Sequence, residues 1–191
     1  MASETRSAGT GGNDATVGTD PWIFPGNVLT SDDVYATATT LAPPMTTQYL
    51  TGTNFGFSVP AGAIIEGIKA EFEAADANTD TVDSSIKIIK GGAIAGLEHS
   101  TGGAWPAGEV YREYGSSTDL WDLTWTATDI NAADFGVGLS IRLVASTAAP
   151  RVDHIRITVY YTVVAELAPI FELHSHPPPR YWNNQFECLP F

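Results

Sequence analysis

The chain has one cysteine, Cys188, among its 191 residues. A lone thiol closes no intrachain disulfide and offers no cysteine pair to a metal. Basic residues are scarce as well, 9 lysines and arginines against 22 acids, for a formal charge of −13. A surface of that sign repels phosphate backbones and anionic lipid, which argues against nucleic acid or a membrane as partner. No run approaches the ~18 apolar residues of a membrane helix. The opening seven residues lack the basic and apolar regions of a secretion signal. Phosphate loops, dinucleotide fingerprints and the Gly-x-Ser-x-Gly elbow are missing too. With 22 acids a carboxylate pair can always be imagined, so acids alone do not argue for a glycosidase. The expectation is a protein that is not an enzyme and needs no cofactor, calcium being the first ion to weigh.

What is present is alternation. Within 151–161, Ile155, Ile157, Val159 and Tyr161 share one face, and His154, Arg156, Thr158 and Tyr160 share the other. That pattern predicts a central antiparallel strand with one wet face. Residues 135–143 alternate in the same way, and 144–150 reads as a hairpin connection joining the two. Residues 64–73 put Ile64, Ile68, Ala70 and Phe72 on one face, interrupted by Glu66. Further strands are expected at 33–39, 48–51, 55–59, 85–90 and 111–114. Only 126–131 reads helical, with Asp129 as its cap. Many short strands with Gly and Pro punctuation predict an all-β fold, an antiparallel β-sandwich or jelly-roll-like domain with extended N- and C-terminal arms. The expected parts are a flexible N-terminal arm over 1–20, a sandwich over 21–162 and a Pro/aromatic docking arm over 163–191. The first arm is short of anything to bury, so it is expected to become ordered by lying on a neighbouring subunit.

Four groups of side chains suggest chemistry. Asp76, Asn78, Asp80 and Asp83 space oxygen ligands as a calcium loop does. Thr81 stands where the turn glycine of an EF-hand belongs, and Lys87 where its bidentate acid belongs, leaving a looser calcium site or a solvated turn. His174 and His176 share a face of an extended segment, so three copies around a threefold axis would offer six nitrogens to a transition metal. The plainer reading is an exposed pair beside Pro177, Pro178 and Pro179. Trp105, Trp121 and Trp125 lie in the loop-rich middle, either facing a glycan or closing the ends of the core, with core expected for at least two. Phe171, Tyr181, Trp182, Phe186 and Phe191 are aromatic anchors for a partner's groove, or for the sandwich itself. Asp153 and His154 are adjacent on a strand, so they point to opposite faces and form no dyad.

Residues 53–68 (TNFGFSVPAGAIIEGI) resemble a stretch of virion structural proteins of tailed bacteriophages. Tyr114-Gly115, Asp119-Leu120-Trp121, Trp125-Thr126, Asp129-Ile130-Asn131, Phe135-Gly136-Val137 and 152–161 follow in the same order. The resemblance covers roughly 21–162. It implies a β-sandwich carried on tail fibres, appendages or the capsid, assembled in the host cytoplasm, with no catalytic residues to transfer. The expected function is therefore a virion structural component, either a tail fibre or adhesin, or a capsid decoration (cement) protein. Its partners would be other virion proteins and a host surface glycan, and viral appendages favour a homotrimer. The alternative is a carbohydrate-binding module or a glycan-degrading appendage.

Overall fold

Side chains that repeat every second residue give a strand one dry face, and two dry faces pack to make a sandwich. The computed structural model describes residues 1–38 and 43–164. Its strands are β1 (Ala2–Ser7), β2 (Thr10–Asp14), β3 (Ala36–Thr37), β4 (Met45–Thr46), β5 (Tyr49–Thr53), β6 (Ile64–Asp76) and β7 (Thr81–Lys90). β8 (Ala93–Ala95), β9 (Val110–Gly115), a short helix α1 (Ala127–Asn131), β10 (Gly136–Leu143) and β11 (Pro150–Thr162) complete them. One sheet runs β1-β11-β6-β9, with β3 also on β11; the other runs β2-β5-β10-β7-β8, with β4 also on β10. All of the ladders between these strands are antiparallel. Ile68, Phe72, Ile155, Ile157 and Val159 from the first sheet meet Leu50, Ile86, Ile88, Val137, Leu139 and Ile141 from the second in one core. The expected all-β antiparallel sandwich is what forms.

The pairing differs from the expectation. Residues 135–143 and 151–161 do not form a hairpin: β10 pairs with β5 and β7, while β11 pairs with β1 and β6 in the opposite sheet. The link 144–149 therefore crosses between sheets, as does the turn from β6 to β7. Asp76 stitches the two crossings together. Its carboxylate accepts from Asn78 N (3.0 Å), Asp80 N (2.9 Å), Thr81 Oγ1 (2.7 Å) and Ala149 N (3.0 Å). In β6 the register slips opposite Tyr160 and Tyr161, so Glu66 is a bulge residue. Ile65 consequently turns inward, and Ile64 is exposed rather than sharing the face of Ile68.

The N-terminal residues are not a free arm. Ala2–Ser7 pairs with β11, and Thr10–Asp14 pairs with β5, so one segment forms an edge of both sheets. Their backbone groups join ladders that need no apolar side chain, which is why composition gave no hint. Between the strands, Ala8 N donates to Ile155 O and Gly9 N to Thr53 O, each at 3.0 Å. A β-carbon at Gly9 would lie 2.4 Å from the Asn54 carbonyl oxygen, so the crossing requires glycine there. Asn13 then holds Trp22 from both sides, its amide donating to Trp22 O and its Oδ1 accepting Trp22 N–H, both at 2.9 Å.

Residues 55–59 join no sheet, and Gly56 turns the backbone at φ 67°, yet Phe55, Phe57 and Val59 are all buried. Phe55 and Phe57 pack on Phe135 with ring centroids 6.3 and 5.9 Å away. α1 begins where expected, but Thr126 is its N-cap and Asp129 sits at the third helical position, each side chain bonding the other's backbone N–H.

Candidate functional site

The three tryptophans fall in different settings. Trp105 is 1% and Trp121 0% exposed, so neither can stack on a sugar. The Trp105 indole donates to Asp83 Oδ1 at 2.9 Å, and the Trp121 indole to Ile68 O at 3.0 Å. Trp125 is half-buried, donates to Leu120 O, meets the Phe135 ring edge-on at 5.4 Å and lies 5.1 Å from Lys90 Nζ. It lines an open cleft of about 550 Å³ with Ala63, Ile64, Leu120 and Ala127. Two tryptophans are core, and the glycan-facing role falls away for both.

The expected calcium loop is also reassigned, because hydrogen-bond donors already occupy its acids. Asp76 is filled by the four donors of the crossover. Asp83 is buried at 5% exposure and points between the sheets. It accepts from Thr101 Oγ1 (3.0 Å), Trp105 Nε1 (2.9 Å), Arg112 Nη2 (2.9 Å) and Tyr114 OH (3.0 Å). Burial, with the Asp83 charge beside it, pushes the Tyr114 phenol well above its ordinary range. Asp80 accepts from Thr147, and Asn78 donates to the Thr147 carbonyl. These residues clamp loops; they do not converge on one point. Phe171, Tyr181, Trp182, Phe186, Phe191, His174 and His176 lie outside the described residues.

The outer face of the β1-β11-β6-β9 sheet was expected to be wet. It carries instead a dense polar network. His154 accepts or donates at both ring nitrogens, to Tyr111 OH and to Ser7 Oγ, each 2.9 Å away. Arg156 bonds Glu71 at 2.8 Å and lies 3.8 Å over the Tyr111 ring, and Lys69 bonds Glu113 at 2.9 Å. Burial opposes ionisation of Glu71, but Arg156 and Lys69 outweigh it and hold the carboxyl below its usual 4.5. Burial holds the His154 imidazole below its usual 6.5. The signs then follow. Stability from a neutral His154 is complete above 6.5 and is lost as pH falls through the depressed value. Stability from Glu71 is complete above 4.5 and is lost lower still. Thermal melts across this range are expected to decline in two stages, and His154→Gln removes the first while keeping the second.

Sequence reasoning missed the outer face of the second sheet. On β10, Val137, Leu139 and Ile141 point into the core, so Gly136, Gly138 and Ser140 face outward. A β-carbon at Gly138 would lie 3.0 Å from the Tyr49 ring and 2.9 Å from Ile94, which close over it. A depression of about 600 Å³ there is lined by Asp14, Thr16, Tyr49, Ser85, Lys87 and Ile94. It adjoins one of about 380 Å³ that reaches Thr51, Thr53 and Asp134. The Tyr49 hydroxyl bonds Ser85 Oγ at 2.6 Å, and Ser85 in turn donates to Glu98. Burial works against the Glu98 charge, but Ser85 and the Ile86 and Ser100 N–H groups hold its carboxyl below the ordinary range. The Ser85 proton is directed at a carboxylate acceptor, which fixes the orientation of the hydroxyl. Glycines at alternate positions of 136–138 were the available signal.

Fold and site together define an antiparallel β-sandwich with polar outer faces, one of them grooved. No protein-family model matches the chain, and no curated protein matches it. A solved structure, the second N-terminal cellulose-binding domain of β-1,4-glucanase C from Cellulomonas fimi, superposes with a TM-score of 0.42 at 16% identity. The superposition covers 85% of this chain and 99% of that domain. A likeness that distant carries no argument about what this chain binds.

Proposed function

We propose that this protein is a non-enzymatic structural component of a tailed-phage virion, a rigid β-sandwich displayed on a tail appendage or on the capsid. The observation that supports the reading is the use made of the residues that resemble phage modules. Phe55, Phe57 and Phe135 form one aromatic cluster, and Trp121 ties its loop to β6. Asn131 bonds both the N–H and the carbonyl of Val59, at 2.8 and 2.9 Å. Each fastens a loop to the core, as a displayed module requires. The sandwich would be joined to neighbouring virion proteins, in a homo-oligomer, through 163–191, with Phe171, Tyr181, Trp182, Phe186 and Phe191 as anchors. Gold-labelled antibody on intact virions tests this by electron microscopy. Label on the head means decoration, label on the tail means a fibre or adhesin, and unlabelled virions overturn the proposal.

A second reading is favoured by the groove on the second sheet. Its ring, hydroxyl, acid and amine side chains together suit a polyhydroxylated ligand such as a host surface glycan. Binding of soluble polysaccharides that is lost in Lys87→Ala and Asp14→Ala would support it; hydrolysis of the polysaccharide would displace both readings.

A further inference from the structure

Near the start of β11 the chain gathers acids from three distant segments. Val152 lies opposite Ala74 and His154 opposite Glu73, so Asp153 is the extra residue of a bulge. Asp153 is 2% exposed. Its Oδ2 accepts the Asp33 N–H at 3.3 Å, while its Oδ1 is buried with no hydrogen-bond partner. Asp33 sits on an exposed turn at φ 63°, and Glu109 immediately precedes β9. One carboxylate oxygen from each of Asp33, Glu109 and Asp153 lies within 4.8 Å of the other two. Glu109 Oε1, and Glu73 Oε2 on the adjacent strand, are likewise buried and unpartnered.

The protein's own groups do not balance this charge. The Tyr35 hydroxyl is 3.2 Å from both Asp33 Oδ1 and Glu109 Oε2, but a single proton serves one at a time. Arg151 reaches Glu109 Oε2 only at 3.9 Å, with its guanidinium over the Tyr35 ring. One guanidinium offsets one of three carboxylates. Burial raises the Glu109 carboxyl, and the nearby Asp153 and Glu73 charges act in the same direction. Like charges this close call for a proton or a cation.

We infer that Asp33, Glu109 and Asp153 form a calcium site, which holds whether or not the virion reading does. Hard oxygens are what calcium takes, six to eight at about 2.3–2.6 Å, so oxygens sharing one ion lie within roughly 5 Å of each other. Asp153 is fixed by the bulge, whereas Asp33 is on a turn that can adjust. That mixture suits the irregular shell of calcium better than the strict octahedron of magnesium. The ion ties together the turn at Asp33, the approach to β9 and the bulge in β11.

Calcium titrated into the chelator-stripped full chain tests the site by calorimetry and thermal melting. Expected are one bound equivalent and a rise in Tm of roughly 5 °C at saturation. Asp33→Asn lies on the surface and suits a left-handed backbone, so it keeps the fold and weakens binding at least tenfold. Asp153→Asn abolishes binding. No heat and no Tm rise in the unaltered chain overturns the inference, and so does calcium binding that both variants retain. Calcium indifference with stabilisation on acidification means that a proton on Glu109, whose carboxyl burial raises, relieves the crowding in place of an ion, which also overturns it.

Discussion

Replacing Asp83 with alanine is expected to lower the melting temperature by about 10 °C or more. The carboxylate receives four donors, and two of them, Trp105 and Tyr114, are almost wholly enclosed. Arg112, its ionic partner, has only 16% of its side chain exposed. Deleting the acid strands a guanidinium and two buried donors, at a cost of roughly 3–5 kcal/mol. The damage is also topological. Asp83 belongs to β7 in one sheet, and Arg112 and Tyr114 to β9 in the other, so the pair bridges the sheets across the 96–109 excursion. Asp83→Asn keeps one acceptor oxygen and loses the charge, so it should cost less than alanine. Urea denaturation of both variants measures the difference, and a shift of less than ~1 kcal/mol for alanine would falsify the hub assignment.

Removing residues 1–14 is expected to be worse still. The segment contributes six register pairs to β11 and five to β5. It also carries the Ser7 and Thr5 bonds to His154 and Thr158, and the double bond from Asn13 to Trp22. The loss rivals the ~5–15 kcal/mol that holds a typical domain together. Both β11 and β5 would then present open edges, which invite pairing with other chains. The truncated protein should show no cooperative calorimetric transition and should elute as aggregates. An unchanged melt would mean that the segment is an arm after all.

Alternation in the sequence identified the fold class because a half-buried strand has period two whatever it pairs with. For the same reason it could not identify partners. Residues 135–143 and 151–161 look like two arms of a hairpin, and only their pairing, β10 with β5 and β7 and β11 with β1 and β6, shows that the link crosses between sheets. Residues 2–14 escaped notice because an edge strand can be held by its backbone ladder without an apolar stripe, here with Thr5 and Ser7 on the outer face and Glu4 and Arg6 opposite Val159 and Ile157. The carboxylate cluster draws on positions 33, 109 and 153, which no local pattern connects. One clue was present: Val152 is buried out of phase with Ile155, Ile157 and Val159, the mark of a bulge at Asp153. For Trp105 and Trp121, the deciding facts were the acceptors waiting for their indoles, and those come from remote strands.

The pairing of Ala2 with Tyr161 has a consequence for how the sandwich would be mounted. Residue 2 and the exit of β11 lie side by side at one pole, while Asp33, Glu109, Asp153 and both sheet crossings gather toward the other. Along β11 the separation from Asp153 to Thr162 is nine residues, about 30 Å of extended chain. Anything joined through residue 2 or directly at Thr162 would therefore grip the molecule at the same place, like a flag fixed along one edge. The acidic end would stand farthest from the anchorage, first to meet whatever approaches from outside.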